Sequence, residues 1–180
     1  MSLFGNRSSK PFSAPLIPPP PPTLAGKYLI FELAGEYYGV ALQKVQEIAL
    51  RQPVSPSRKM PHYALGTIDL RGNRLPVIDL RKRLHVREGR PDYRTSILVV
   101  HVSSPSGVLI PTGFLVDGIN DVLFFPPTSI LETPYTTENG RPGAFMGIAE
   151  VVEEEEREKV TLIDLDALLT EKDLMTLIRR

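Results

Sequence analysis

The side chains with which this chain could do acid–base or metal chemistry are few: His62, His85 and His101, and the aspartates Asp79, Asp164 and Asp166. None of the histidines has a second ligand at metal-binding spacing. His101 alternates with apolar neighbours in SILVVHV, the pattern of a histidine held within a sheet. Asp79 and Asp164 each follow a β-branched run and precede apolar residues at helical spacing, a position suited to capping a helix rather than to a carboxylate pair. No phosphate-binding glycine loop, nucleophile elbow or zinc-protease helix is present. With no cysteine, disulfides, thiolate zinc sites and thiol catalysis are excluded together. Catalysis, cofactor and metal are therefore not expected, and the polar groups worth following are those placed to meet a partner.

The segment Gly66–Arg81, GTIDLRGNRLPVIDLR, holds the most informative of these. Two apolar-alternating runs flank Gly72-Asn73, a dipeptide suited to a type II′ turn. That turn predicts Arg71 opposite Arg74, Leu70 opposite Leu75 and Ile68 opposite Val77. Period-two alternation then gives the hairpin one dry face and one charged face, the latter carrying Asp69 and Arg71.

The pattern recurs. Leu75–Leu84 (LPVIDLRKRL) is matched by Val160–Leu169 (VTLIDLDALL), each predicted as a strand running into an aspartate-capped helix. Leu42–Ile48 (LQKVQEI) is matched by Val116–Val122 (VDGINDV), aligning Val45 with Ile119, Glu47 with Asp121 and Ile48 with Val122. Matched features in matched order indicate two similar β units.

A length of 180 residues allows one or two small domains with a real core. With 21 basic and 21 acidic residues, the chain has no overall drive towards nucleic acid or an anionic membrane. There is no tryptophan to stack on single strands, and no apolar run nears the roughly 20 residues that span a bilayer. Direct membrane insertion and nucleic-acid binding are not expected; a cytoplasmic protein is. Charge is nonetheless uneven, basic over Arg81–Arg94 and acidic over Glu153–Glu156, both read as solvated loops.

Residues 1–26 form a proline-rich tail expected to lack a fixed fold, with Pro18–Pro22 a stiff polyproline spacer. Strands are expected at Lys27–Leu33, Glu36–Val40 and Glu47–Leu50, then in the Gly66–Ile78 hairpin. A short helix follows at Leu80–Leu84 and a polar linker at Val86–Thr95. The second unit carries Ser96–Val102, Val108–Leu115 and Val116–Phe125, a loop over Pro126–Gly143, and a hairpin of Phe145–Val152 with Lys159–Ile163. Asp164–Leu169 is predicted to begin a helix that Glu171–Arg180 continues. Approximate units are 27–85 and 96–169 within a domain of 27–172, a division that allows strands to be exchanged between them, with 173–180 as the helix end. This density of short strands predicts a mainly β fold of two small barrels or sandwiches.

Several blocks together resemble CheW-type chemotaxis coupling proteins: KVQEI (Lys44–Ile48), GTIDLRG (Gly66–Gly72), PVIDLR (Pro76–Arg81), VDGINDVL (Val116–Leu123) and FMGI (Phe145–Ile148). They stand in the family's order across about Lys27–Leu169. The resemblance implies two SH3-like five-stranded β-barrel subdomains around a shared apolar interface. It also implies a non-catalytic adaptor joining the cytoplasmic tips of methyl-accepting chemoreceptors to the regulatory domain of the histidine kinase CheA, recruited to membrane receptor arrays. A CheW-like adaptor of a non-flagellar system, governing surface motility or development, and a small-ligand-binding β-barrel module are the alternatives. Carried over by position, Val45 and Glu47 match partner-contact residues of KVQEI, and Gly66 and Arg71 match the glycine and arginine of the G-x-x-N-L-R-G block. Val116, Ile119 and Val122 fall in the segment that helps line a receptor groove. Asp69 stands where the family has asparagine, from which it could pair with Arg71.

Overall fold

The computed structural model describes residues 24–56, 59–87, 90–132, 143–153 and 156–178. The first half holds β1 (Gly26–Leu33), β2 (Glu36–Ala41), β3 (Val45–Leu50), β4 (Ala64–Leu70), β5 (Asn73–Asp79) and α1 (Leu80–Leu84). The second holds β6 (Ser96–Ser103), β7 (Leu109–Val116), β8 (Gly118–Phe125), β9 (Ile130–Glu132), β10 (Phe145–Glu153), β11 (Glu156–Ile163) and α2 (Glu171–Ile178). The expected tail lies outside the described residues up to position 23, and Gly26 already belongs to β1. Within the loop expected over Pro126–Gly143, β9 is a strand that the prolines concealed, and 133–142 lie outside the described residues.

Two sheets form, ordered β8-β1-β2-β11-β10-β9 and β3-β6-β7-β5-β4. Each takes its leading hairpin from one half of the sequence and its remaining strands from the other. Thus β1–β2 sits between β8 and β11, and β6–β7 sits between β3 and β5. The strands are exchanged, and neither sheet matches a continuous half of the chain. The expected five-stranded barrels are corrected in two respects: the first sheet has six strands, and no ladder among the described residues closes either sheet.

The repeat is visible in the registers. In the β3–β6 ladder, Val45 pairs with Val100 and Ile48 with Leu98, three residues against two across a bulge. In the β8–β1 ladder, Ile119 pairs with Phe31 and Val122 with Leu29, the same count at the same place. The parallel pairs agree too, with Val77 beside Gly113 and Leu162 beside Gly39. At both glycines a Cβ would press on the sheet's own core, 2.7 Å from an Ile97 methyl at Gly113 and 2.9 Å from Leu162 at Gly39.

Burial on both faces explains the apolar runs of the central strands. Leu29, Phe31 and Leu33 of β1 enter a core shared with Leu98, Val100 and Val102 of β6. The alternate residues Tyr28 and Ile30 pack within the first sheet's own curl, as Ile97 and Val99 do in the second. The shared core, closed by Leu174 and Leu177 of α2, is what fastens the two sheets together.

Two local readings are corrected. The β4–β5 turn is Arg71-Gly72, not Gly72-Asn73, so Leu70 pairs with Asn73, Asp69 with Arg74 and Ile68 with Leu75. Both turn residues have positive φ, 55° and 81°, as a type I′ turn requires. Asp69 favours this register, because its Oδ1 accepts a 2.8 Å hydrogen bond from the Gly72 N–H. Asp79 does cap α1, accepting from the Lys82 N–H at 3.3 Å. Asp164 caps no helix: Leu165–Leu169 are turns, and helix begins only at Glu171. The Asp164 carboxylate takes the Asp166 N–H at 2.9 Å, and the Asp166 side chain is drawn away to other partners, which holds this stretch off a helical path.

Candidate functional site

Strand β3 is an edge strand, and its alternation sorts its residues cleanly. Ala49 faces the core of its own sheet, while Ile48 and Leu50 point outward, Leu50 at 84% exposure. Glu47 shares the Ala49 face but sits at the rim, where Arg71 reaches it from the β4–β5 turn: Nη2 to Oε2 is 2.7 Å. β3 and β4 are the two ends of the five-stranded sheet, so this ion pair spans the gap that no backbone ladder closes. The left-handed conformation of Arg71 lifts it off the strand and aims it across the seam. Its side chain keeps 80% of its surface in water, against 21% for Glu47. Such a pair contributes at most about 1 kcal/mol to folding, and it leaves most of the guanidinium free for another acceptor. Arg71 therefore pairs with Glu47, not with Asp69, whose carboxylate is engaged in the turn.

Gly66 plays a different part. Its φ is +140°, and a Cβ there would overlap the backbone carbonyl of Ser55, which bridges β4 through hydrogen bonds between Ser55 and Thr67 of 2.8 and 2.9 Å. The glycine lets the Arg51–Pro56 loop lie against β4 through an isolated bridge at Ser55 and so fixes the hairpin that carries Arg71. It is buried and can meet a partner only through that hairpin.

The second group lies on the other half. Val116 is fully buried in the shared core, so it holds the β7–β8 junction and presents no surface. Ile119 is half-buried against the same core, as is its repeat counterpart Val45. Val122 is exposed on β8, which is the edge strand of the six-stranded sheet. The structure thus brings Glu47 and Arg71 into contact, sets Val45 and Ile119 at equivalent margins of the shared core, and leaves Val122 on a separate edge.

Sequence reasoning did not single out Leu50 or Phe124, yet they are prominent exposed apolar side chains of the two edge strands, Phe124 at 63%. The repeat carried the signal. Extending the Val45–Ile119 and Ile48–Val122 matches by two residues pairs Leu50 with Phe124. An exposed apolar edge strand is a surface that soluble proteins usually blunt, and β3 and β8 both present one.

The groups considered for chemistry are occupied structurally. His62 packs edge-on to Tyr63, His85 closes α1 in a left-handed conformation, and His101 lies in β6 opposite Pro111. Among the described residues, no three His, Asp or Glu side chains are grouped to hold a metal ion. No described helix is long and apolar enough to cross a membrane.

A profile of the CheW-like domain matches residues 27–173. Among curated proteins, "Chemotaxis protein CheW" of Rhizobium meliloti is 29% identical, over 84% of this chain and 92% of its own length. The "Probable chemotaxis protein CheW" of Rhizobium etli is 30% identical over 81% and 88%, and the Bacillus subtilis "Chemotaxis protein CheW" 30% over 79% and 86%. Among solved structures, the scaffolding protein TtCheW from Thermoanaerobacter tengcongensis superposes with a TM-score of 0.68 at 25% identity, covering 83% of this chain and 91% of that one. The two exchanged-strand sheets, the ordered sequence blocks and these likenesses have one reading: the chain belongs to the CheW-like domain family.

Proposed function

We propose that this protein is a non-catalytic chemotaxis scaffold that couples the cytoplasmic tips of chemoreceptors to the histidine kinase CheA. The observation that carries the reading is the Arg71–Glu47 pair. It lies on an open seam beside the exposed Ile48 and Leu50, so a charged anchor and an apolar edge strand stand together. The scaffolding and chemotaxis names of similar proteins support the same role. The apolar edge supplies area and the charged pair supplies register, a combination suited to protein–protein docking. Val45, Ile119 and Val122 contribute apolar contact on this reading, while Gly66 and Val116 position the surface from behind. The working place of such a scaffold is the cytoplasmic face of a receptor array.

The test is co-sedimentation with receptor-containing membranes and CheA, run beside melting curves. Arg71→Glu and Glu47→Arg should each leave the melting temperature within a degree or two and weaken recruitment roughly tenfold or more, the range of a charged interface anchor. The double variant Glu47→Arg/Arg71→Glu rebuilds the internal pair with its sense reversed. If the pair served folding alone, the double variant would couple normally; continued loss of recruitment identifies a partner-facing role. Normal recruitment by both single variants overturns the assignment.

A further inference from the structure

The repeat sets an equivalent cleft in each half of the molecule, and the chain itself borders the two differently. The cleft of the second half is lined by Ala41, Met146 and Asp164, that of the first by Leu115, Leu65 and Asp79. These residues correspond one for one, through the two Ile-Asp-Leu segments, the bulges at Gly66 and Gly147, and the β2–β3 and β7–β8 junctions. Leu29 and Leu98 correspond as well, since they pair with Val122 and Ile48. Counting back equally from both, Leu24 matches Tyr93.

These two residues are placed differently. Leu24 lines its cleft, with Cδ1 3.3 Å from where a Cβ on Gly147 would stand. The Tyr28 hydroxyl fixes it by donating to the Leu24 carbonyl at 2.7 Å. In the first half Ile97 replaces Tyr28 and has no donor to offer. Asp92 turns the segment instead: its carboxylate accepts the Arg94 N–H at 2.8 Å, and its own N–H donates to the Thr95 hydroxyl at 2.8 Å. Tyr93 is left 93% exposed and does not line the first-half cleft. That cleft, of about 540 Å³, keeps a floor of Val54, Leu65 and Leu115, all half-buried.

Its rim is basic. Arg81 is engaged by Asp117, and Asp79 by the cap of α1. Arg51 and Lys82 make no ion pair among the described residues. At Arg81, Thr95 and Asp117 this cleft joins a second, of about 280 Å³, that is lined by Arg87, Arg90 and Arg94. Arg94 is paired with Glu32 and Asp92, whereas Arg87 and Arg90 make no ion pair among the described residues. The twin cleft carries the opposite sign at the position of Arg81, where Asp166 stands.

We propose that the joined groove binds an acidic segment of another protein, with an apolar side chain on the floor, where the twin cleft uses the chain's own Leu24, and carboxylates on Arg51, Lys82, Arg87 and Arg90. Charge complementarity favours an extended acidic peptide, because the unpaired cations are spread over two clefts and a compact anion has no use for an apolar floor. The groove contains neither Glu47 nor Arg71. Its role therefore stands apart from the coupling surface.

Fluorescence anisotropy of the full chain with a labelled peptide alternating glutamate and leucine tests it. Binding should saturate at about 50 mM salt and weaken at least about tenfold at about 500 mM, where screening lengths fall to a few ångströms. Exchanging the peptide's leucines for serines should weaken it about tenfold, the loss of one buried apolar side chain. Arg51→Glu/Lys82→Glu and Arg87→Glu/Arg90→Glu should each melt with the parent and bind at least about tenfold more weakly. Where a glutamate pair does not fold, the glutamine pair should lose about threefold in the same sense. Lys27→Glu, on the rim of the twin cleft, should bind as the parent does. Absence of binding, equal binding of the serine peptide, or loss of binding in Lys27→Glu overturns the proposal. Displacement of the peptide by inorganic phosphate or oligothymidine at the peptide's own concentration would also overturn it, assigning the groove to phosphate groups.

Discussion

Arg81 and Asp117 in one half of the molecule, and Asp166 and Lys44 in the other, perform the same task with the signs reversed. Arg81 follows the first Ile-Asp-Leu and Asp166 follows the second, so the two occupy equivalent positions. Arg81 binds Asp117 at the β7–β8 junction, with Nε to Oδ1 at 2.7 Å; Asp166 binds Lys44 at the β2–β3 junction. The carboxylate in each site also accepts a backbone N–H from the end of the neighbouring leading hairpin. Asp117 takes that of Ala34 at 2.6 Å, and Asp166 that of Ser103 at 2.9 Å. Ala34 and Ser103 are themselves equivalent through the β1 and β6 registers. The fold therefore needs one carboxylate to satisfy the hairpin's N–H and one cation to neutralise it. Which element supplies which is free to change. The sites differ in burial: the side chains of Arg81 and Asp117 are 16% and 17% exposed, those of Lys44 and Asp166 36% and 22%.

The largest effect expected from such paired positions is at the glycines preceding the two Ile-Asp-Leu strands. Gly66 and Gly147 occupy matching places, opposite Val77 and Leu162 across matching bulges. Gly66 has positive φ and faces the Ser55 backbone at overlap distance, whereas a Cβ on Gly147 would stand 2.9 Å from the Leu131 carbonyl oxygen. Gly66→Ala should cost about 3 kcal/mol or more, and Gly147→Ala about half of that, by urea denaturation. Equal costs would show that the two glycines are interchangeable and would break the comparison at that point.

Next come the ion pairs. Asp117→Ala leaves a mostly buried guanidinium and an N–H without their acceptor and should cost about 2–4 kcal/mol; Asp166→Ala, more open to water, about 1–2 kcal/mol. A transplant sharpens this. Arg81→Asp with Asp117→Lys recreates the signs of the other half, and the double variant should be more stable than the sum of its single losses by about 1 kcal/mol or more. Simple additivity would mean that the two sites hold their hairpins by different means.

The smallest effect concerns Asp164. Burial pushes its carboxyl above the ordinary carboxylate range, and nearby Asp166 adds to the rise while Lys44 opposes it. A carboxyl with a raised folded-state pKa stabilises when protonated, below its unfolded pKa, and that contribution is lost as pH rises through the folded value. Asp164→Asn keeps an acceptor for the Asp166 N–H, so it should melt slightly above the parent at pH 7. The gap should narrow as pH falls towards 4. A variant less stable than the parent at pH 7 would show that the charge itself is needed there.

Much of the fold was legible because it is local. Alternation and apolar runs mark nearly every strand, and the leading hairpins follow from apolar runs separated by a tight turn or a short loop. The misplaced register at Arg71-Gly72 has a local cause as well: two turns one residue apart both suit that sequence, and the Asp69 carboxylate selects between them. The missing helix after Asp164 was not legible, since the pull of Ser103 and Lys44 on Asp166 comes from about 60 and 120 positions away.

The sequence by itself determined that there are two copies of one β unit, which residues turn inward, and that charge would gather at two segments. Alternation and repetition are properties of neighbouring residues and survive without knowledge of the rest. Only the tertiary structure decided that the leading hairpins change places and that Arg71 meets Glu47 across an unclosed sheet. Those outcomes depend on which distant apolar faces cover each other: both faces of β1 and β6 are buried, with each hairpin taken up by the other half's strands.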